Sequence, residues 1–198
     1  MVRFFDLFFS VAGVILLLPL FLIISLWIVA TSRGGIFFRQ LRVGKNGRDF
    51  YLLKFRTMKP DSEQGGKLTI GSRDPRITAA GMFLRKFKLD ELPQLFNVIN
   101  GEMSLVGPRP EVRKYVELYS AEQQTVLQVK PGITDYASIA YMDENTLLGR
   151  SADPERTYIE TIMPEKIRLN MKYIENQGLS AYFKILILTL LHIFKKGM

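Results

Sequence analysis

The chain has 198 residues, enough for one compact domain plus a membrane segment but too few for two ordinary enzyme domains. Lys and Arg number 27 against 19 Asp and Glu, and the net charge of +8 predicts an anionic partner without choosing among phospholipid, nucleotide and nucleic acid. The absence of Cys excludes disulfides, thiol nucleophiles and Cys-based zinc sites. The only histidine, His192, lies in an apolar run, so catalysis would depend on carboxylates, Lys, Arg or Tyr.

The N-terminal segment has the composition of a membrane helix. No charged residue occurs from Leu7 to Ala30, and as a helix this stretch is long enough to cross a hydrocarbon core of about 30 Å. Pro19 predicts a kink in its middle, because proline cannot donate to the carbonyl of Ile15. A spanning helix, which the residues alone favour, and a re-entrant helix that returns to the same face both stay open. The excess of cations after the segment favours a cytoplasmic C-terminal side.

A basic stretch follows the apolar segment and contains one acid, Asp49. Its eight cations are Arg33, Arg39, Arg42, Lys45, Arg48, Lys54, Arg56 and Lys59. Such a belt beside a membrane helix would bind anionic lipid headgroups. Within it, two β-prone runs flank the turn-rich residues 44–47 and predict a short hairpin. Lys54 and Arg56 would share one face of the second strand, as a solvated face or as a phosphate clamp.

The central part of the chain predicts two helices separated by a break. Residues 60–71 have the composition of an exposed loop. Thr78 is a suitable N-cap for a first helix, and Pro93 predicts a break near residues 89–92, because its ring would clash with the carbonyl of Leu89. Pro93 then suits the first turn of a second helix that ends at Asn100-Gly101. The break places Asp90-Glu91 at a helix start.

Two interpretations of Asp90-Glu91 compete. In the first, Asp90 is a capping carboxylate and Glu91 is an acid that the helix dipole favours. In the second, the pair belongs to a phosphate site, since Arg85, Lys86 and Lys88 are close in sequence and Pro108-Arg109-Pro110 follows. Acids would repel phosphate unless a divalent cation intervened, so carboxylates and guanidinium groups around a diphosphate would imply Mg²⁺-assisted phosphoryl transfer.

An ordered set of motifs resembles the bacterial sugar transferase family, the monotopic phosphoglycosyl transferases. The motifs are Lys54-Phe55-Arg56-Thr57-Met58, Asp74-Pro75-Arg76-Ile77-Thr78, Leu89-Asp90-Glu91-Leu92-Pro93-Gln94-Leu95-Phe96-Asn97, Met103-Ser104-Leu105-Val106-Gly107-Pro108-Arg109-Pro110 and Lys130-Pro131-Gly132-Ile133-Thr134. They cover most of the chain in the family's order, after an N-terminal membrane helix. The length matches the small form of the family.

The resemblance implies a two-step reaction. Asp90 would attack the β-phosphate of a UDP-sugar and expel UMP, and undecaprenyl phosphate would then take the sugar phosphate from the enzyme. Glu91, with Asp90, would help to hold Mg²⁺. The phosphate-binding cations that the resemblance implies are Lys54, Arg85 and Arg109, and Arg56, on the same strand face as Lys54, is a further candidate. The expected structural prolines of the site are Pro93, Pro108 and Pro110.

The resemblance also implies a fold and a location. The expected fold is α+β and mainly helical, with an N-terminal re-entrant membrane helix that breaks at Pro19, a short β-hairpin, and interfacial amphipathic helices around a cytoplasmic active site. Residues 1–32 would form the re-entrant helix, and residues 33–198 the catalytic domain at the cytoplasmic face of the bacterial inner membrane. Expected partners are a UDP-sugar, undecaprenyl phosphate and anionic membrane lipids, with no nucleic acid. Candidate protein partners are a second copy of the chain and downstream glycosyltransferases.

The sequence departs from the family at four places. Leu18 precedes Pro19 where members often carry Ser, Asp135-Tyr136-Ala137-Ser138 replaces a common Gly-x-Ala-Gln run, and Asn170 and Tyr182 stand where acids are frequent. These departures leave the chemistry intact but leave the sugar and the C-terminal contacts open. The apolar run at 182–194 is short for a span and predicts interfacial packing.

Three functions therefore stay open. The first is sugar-1-phosphate transfer with an N-acetylated amino sugar, the second is the same chemistry on a plain hexose, and the third is a membrane-tethered basic adaptor without catalysis. The adaptor needs only the basic stretch, whereas transfer requires Asp90, Glu91 and the cations around them. Release of UMP from UDP-sugars in the presence of polyprenyl phosphate would separate the enzymes from the adaptor.

Overall fold

The computed structural model describes residues 1–60 and 74–197, so the predicted loop at 60–71 lies, except for its first residue, outside the described residues. The described chain is mainly helical with two small sheets, which confirms the α+β class. The helices are α1 Val2–Thr31, α2 Ala79–Lys86, α3 Gln94–Asn100, α4 Arg113–Val116, α5 Tyr136–Ala140, α6 Glu144–Gly149, α7 Pro154–Thr157, α8 Met163–Glu175 and α9 Leu179–Gly197. The strands are β1 Phe37–Val43, β2 Asp49–Phe55, β3 Ser104–Val106 and β4 Gly132–Thr134.

The hairpin predicted in the basic stretch is confirmed. Strands β1 and β2 pair antiparallel, with Phe37 opposite Phe55 and Val43 opposite Asp49. Asn46 and Gly47 in the connection have φ values of 57° and 72°, the left-handed backbone that Asn and Gly adopt with little strain.

Helix α1 runs without interruption from residue 2 to residue 31 and contains Pro19. Helical structure therefore continues through Pro19, although proline removes one backbone hydrogen bond, and the re-entrant course of the helix stays a prediction. Only 17% of the most apolar part of α1 is buried, unlike the core helix of a soluble protein. By length and composition, this is the one helix in the described residues that could cross a membrane.

Both ends of α1 are hydrogen-bonded to the same folded body. Near its start, the Arg3 guanidinium donates to the carbonyls of Val98 and Ile99 at 2.6 and 2.9 Å. Just beyond its end, the hydroxyl and the carbonyl of Ser32 each accept from Arg56 at 2.9 Å. Helix α3 packs along α1 between these two ends.

The described chain exposes an unusual amount of apolar surface. Large apolar side chains on α1, α2 and α9 face outward, and such a surface is suited to contact with a membrane. Outside α1 the exposed residues include Met82, Phe83, Phe87, Ile187, Leu188, Leu190 and Leu191.

The predicted break in the central motif is confirmed. The Thr78 hydroxyl caps α2 by accepting from the Gly81 amide at 2.9 Å. Lys88 has a φ of 57°, and a 3-10 turn at Leu89–Glu91 leads into α3. Gly101, with a φ of 85°, ends α3 as expected from the sequence.

Two glycines from separate motifs bring distant loops together. Strands β3 and β4 pair in parallel, and Gly107 and Gly132 meet beside this pair. A Cβ atom on Gly132 would lie 2.1 Å from the Gly107 nitrogen, so no side chain fits there. This contact fixes the Pro108–Pro110 segment beside the site.

Candidate active site

A cavity of about 1290 Å³ lies between the hairpin, the turn at Leu89–Glu91, the segment Pro108–Glu111 and helices α5 and α8. It exceeds the ~300–1,000 Å³ of typical small-molecule pockets. All six predicted charged site residues line it, and they come from four separate parts of the chain: Lys54, Arg56, Arg85, Asp90, Glu91 and Arg109. Pro108 and Pro110 also line the cavity, whereas Pro93 stands at the N-terminus of α3.

Asp90 points an unpaired oxygen into a buried environment. Its side chain is 6% exposed, and its Oδ1 has no hydrogen-bond partner among the described residues. The N-cap of α3 is Pro93, and that of the short turn is Lys88, so the interpretation of Asp90 as a helix cap is wrong. Burying a carboxylate oxygen without a hydrogen-bond partner lowers the stability of the fold. Such an unpaired atom is therefore typical of a residue that has a function.

Glu91, in contrast, is held by cations on both oxygens. The Arg109 guanidinium donates to Glu91 Oε2 at 3.0 Å and also to Oε1, which forms a bidentate pair. The Lys54 ammonium lies 3.4 Å from the same Oε1. Glu91 therefore holds Lys54 and Arg109 close to the turn that contains Asp90.

The two neighbouring carboxyls have opposite pKa shifts. Burial raises the pKa of Asp90, and the negative charge of Glu91 adds to this effect although Lys54 opposes it. Burial would also raise the pKa of Glu91, but Arg109 and Lys54 outweigh it, and the pKa of Glu91 is lowered. Burial lowers the pKa of Lys54, an effect that Glu91 partly offsets. The surroundings of Asp90 destabilise its carboxylate, whereas those of Glu91 stabilise its carboxylate. Such a difference is found where two neighbouring acids have different roles in a reaction.

Arg85 and Arg56 have structural contacts as well as places in the cavity wall. The Arg85 Nε donates to the Thr57 hydroxyl at 2.9 Å, and burial lowers the pKa of this guanidinium while Asp90 raises it. Two guanidinium nitrogens of Arg56 donate hydrogen bonds to Ser32 and to the Arg33 carbonyl, just beyond the end of α1. Whether either cation binds phosphate stays a prediction, and the contacts of Arg56 tie it to the helix.

Asp135 positions Arg109, although in the sequence it stands out only as a departure from the family pattern. One Asp135 oxygen accepts from the Arg109 backbone N–H at 2.9 Å, and the other accepts from the Ser138 N–H at the start of α5. Asp135 itself is fully buried. A single carboxylate therefore aligns the Arg109 backbone with the N-terminus of α5.

Sequence reasoning missed a second charged group in the cavity. It assigned Arg42 to a lipid-binding belt, but the Arg42 side chain points inward and donates to the Pro110 carbonyl at 3.0 Å and to Glu111 at 3.1 Å. The Tyr158 hydroxyl donates to the other Glu111 oxygen. The signal in the sequence was the spacing of Arg39 and Arg42, which are three residues apart and therefore lie on opposite faces of β1, so only one of them could belong to an exposed belt.

The residues of the site fit a magnesium ion bound jointly with a substrate. Mg²⁺ in proteins is commonly held by one or two carboxylates, water and substrate phosphates. Asp90 has the free oxygen that such binding needs, whereas Glu91 is occupied by Arg109 and Lys54. No group of three or more potential ligands occurs within residues 1–60 and 74–197, so the protein alone offers an incomplete shell.

Paired acids and clustered cations in a large cavity, in a chain with an exposed apolar helix, are suited to binding phosphorylated compounds near a membrane. The chain belongs to the bacterial sugar transferase family, whose model matches residues 1–196. The resemblance seen in the motifs is thereby confirmed.

Relatives with different substrates in their names are equally similar to this chain. A UDP-N-acetylgalactosamine-undecaprenyl-phosphate N-acetylgalactosaminephosphotransferase of Aeromonas hydrophila is 38% identical over 88% of the chain and 39% of the relative. A UDP-glucose:undecaprenyl-phosphate glucose-1-phosphate transferase of Xanthomonas campestris pv. campestris is 38% identical over 93% of the chain and 37% of the relative. The uncharacterized sugar transferase EpsL of Bacillus subtilis is 37% identical over 91% of the chain and 83% of the relative. The chain thus spans about two fifths of the first two relatives.

Proposed function

We propose that the chain transfers a sugar-1-phosphate from a UDP-sugar to undecaprenyl phosphate, with Asp90 as the nucleophile. The carrying observation is the buried, unpartnered Oδ1 of Asp90 in a cavity that also contains Lys54, Arg85 and Arg109. The names of both 38% identical relatives support the donor and acceptor classes. This reaction is the first membrane step of assembling a bacterial polysaccharide or glycoprotein glycan.

The reaction divides into two displacements at one phosphorus. In the first, an oxygen of ionised Asp90 forms a bond to the β-phosphorus, the bond to the bridging oxygen breaks, and UMP leaves with the electron pair. In the second, a phosphate oxygen of undecaprenyl phosphate attacks the same phosphorus, and the Asp90 carboxylate leaves. The Arg109 and Lys54 cations stabilise the charge on the phosphoryl oxygens. The two substrates can therefore use the same small site in turn.

The proposal includes Mg²⁺, with a free Asp90 oxygen and the donor phosphates as ligands. When bound, the ion would neutralise diphosphate charge near the acids. Glu91 would join it only by releasing Lys54 or part of the Arg109 pair, because both of its oxygens are engaged. We expect chelation of divalent ions to abolish UMP release, and added Mg²⁺ to restore it.

An isolated covalent adduct tests the mechanism. The protein is incubated with Mg²⁺ and a panel of UDP-sugars without lipid acceptor, and intact-protein mass spectrometry should show one sugar-phosphate adduct on Asp90. Asp90→Asn should form no adduct, and addition of undecaprenyl phosphate should discharge the wild-type adduct. An active Asp90→Asn variant, or an adduct on another residue, would contradict the mechanism, and an adaptor would release no UMP.

For topology, the proposal is that α1 enters the cytoplasmic leaflet and that both of its ends stay on the cytoplasmic side. A straight helix of 30 residues is about 45 Å long and could cross the bilayer. However, Arg3 and Ser32, at its two ends, bond the same folded body, which supports a re-entrant helix whose two ends lie at the same face of the membrane. Exposed Arg33 and Arg39 after the helix would contact anionic lipids.

Because the chain has no cysteine, single introduced cysteines at Val2 and Gly35 can report the side of each end. A membrane-impermeant thiol reagent added to intact spheroplasts should label neither position, and it should label both after the membrane is opened. Labelling of the first position from the outside would show a spanning helix instead.

A further inference from the structure

Helices α5 and α8 form one wall of the cavity. Helix α8 turns one face toward the cavity, with Met163, Lys166, Ile167 and Asn170 at spacings of three and four residues. Helix α5 packs against α8 and contributes Ser138 to the same wall. This wall is mostly apolar with a few polar groups, the usual make-up of a small-molecule pocket.

Two polar groups of this wall lack partners. Asn170 is 5% exposed, and neither its Oδ1 nor the Ser138 hydroxyl has a hydrogen-bond partner in the described part of the chain. Lys166 on the same face differs, because it is paired with Glu144 at 2.8 Å. A buried polar atom without a partner lowers stability. Asn170 and Ser138 are therefore candidates for hydrogen bonds to a bound molecule.

The wall is connected to the reacting end of the cavity. Asp135 accepts hydrogen bonds from the backbone N–H groups of Arg109 and Ser138, so Ser138 lies one side chain away from the Arg109 segment. The sugar of the donor is attached to the phosphorus that Asp90 attacks and must lie next to this end. Asn and Ser carry no charge, which suits an uncharged hydroxyl or acetamido group better than a phosphate.

We infer that Asn170 and Ser138 bind the sugar of the UDP-sugar and determine which sugar the protein accepts. The inference rests on the proposed function and extends it to substrate selection. The Asn170 amide offers both donor and acceptor groups and can therefore discriminate between a hydroxyl and an acetamido substituent. A site that hydrogen-bonds one substituent leaves its own groups unpaired when another sugar enters, and it rejects that sugar for this reason.

The test measures kcat/KM for UDP-glucose, UDP-galactose, UDP-N-acetylglucosamine and UDP-N-acetylgalactosamine, with undecaprenyl phosphate as acceptor. Asn170→Leu keeps the branched shape and the number of heavy atoms and removes the amide, and Ser138→Ala removes the hydroxyl. Asn176→Leu is the matched control, because Asn176 is exposed at the end of α8. We expect the ratio between the best donor and the others to change about tenfold in the two wall variants, with no change in the control. Inhibition by UMP, which lacks the sugar, should stay as in the wild type.

Three results would overturn the inference: an equal loss for all four donors, weaker inhibition by UMP, or unchanged donor ratios. Asn170→Asp, which has the same size, replaces Asn170→Leu if the latter does not fold. The increase in Tm caused by each UDP-sugar and by UMP gives a readout that needs no turnover. If the wild type releases no UMP from any donor, the proposed function fails. In that case the Tm shifts still test Asn170. The differences in Tm shift among the four UDP-sugars should change between the wild type and the wall variants if Asn170 binds the sugar.

Discussion

Replacing Arg109 by Ala is expected to damage both stability and transfer. The Arg109 side chain is 30% exposed and Glu91 is 13% exposed, so the pair is largely removed from water. Removal of one partner of a buried pair costs about 3–5 kcal/mol. Lys54 remains 3.4 Å from Glu91 and offsets part of this loss, so we expect a destabilisation of about 2–3 kcal/mol, or a fall in Tm of about 4–12 °C for a chain of this size.

The effect on turnover should be larger than the effect on folding. Loss of a charged donor aimed at a phosphoryl group is expected to reduce kcat about 10²–10³-fold. Arg109→Lys should recover only part of this, because an ammonium cannot reproduce the bidentate fork. UMP release and thermal unfolding in detergent, measured on the same preparations, report the two effects separately.

A double variant separates charge pairing from catalysis. In Arg109→Ala with Glu91→Gln, no carboxylate is left buried without its guanidinium partner, so Tm should recover toward the wild-type value while transfer stays lost. Glu91→Gln alone completes the double-mutant cycle. A wild-type Tm for Arg109→Ala, or additive losses in the double variant, would show that the pair does not stabilise the fold and would refute this reasoning.

Three further predictions follow from the same contacts. Asp90→Asn should raise Tm at pH 7, because burial raises the pKa of Asp90 and the folded state disfavours its charge. The gain should shrink as pH falls through the raised pKa of the folded state, and it should vanish below the ordinary Asp value of 3.8, where the wild-type carboxyl is protonated in both states. Asp135→Ala should lower kcat more than Asp135→Asn, because only Asn still accepts from the Arg109 N–H; equal activities would contradict that role. Tyr182→Phe should lower stability by about 1 kcal/mol, measured by thermal unfolding, since its hydroxyl donates to buried Asp6 at 3.0 Å; an unchanged Tm would contradict this contact.

Local chemistry was sufficient to predict several elements. Proline geometry predicted the break before Pro93, and the suitability of Thr78 as an N-cap predicted the start of the first helix. The turn residues 44–47 predicted the hairpin. In each case the determining contacts lie within a few residues in sequence, so composition and spacing contain the information.

Tertiary contacts decided the features that the sequence could not give. The continuity of α1 through Pro19 accompanies packing against α3, which lies more than 70 residues later. Asp135 reaches the Arg109 backbone because Gly107 and Gly132 allow two loops to approach within contact distance. Reading the charge of the basic stretch as one lipid-binding belt concealed the inward direction of Arg42.

The geometry of one short turn explains how adjacent acids acquire different properties. Lys88 adopts left-handed backbone, a conformation that is strained for a non-glycine residue and is often found at functional sites. The 3-10 turn that follows directs Glu91 toward Arg109 and Lys54 and leaves Asp90 with an unpaired oxygen. The Glu91 carboxylate is stabilised and holds the cations. The Asp90 carboxylate is destabilised, and in the proposed mechanism it therefore gains most from forming a bond to phosphorus. Regular α-helical backbone through the turn would change the directions of both acid side chains. The left-handed backbone of Lys88 is therefore part of what positions Asp90 and Glu91 in the candidate active site.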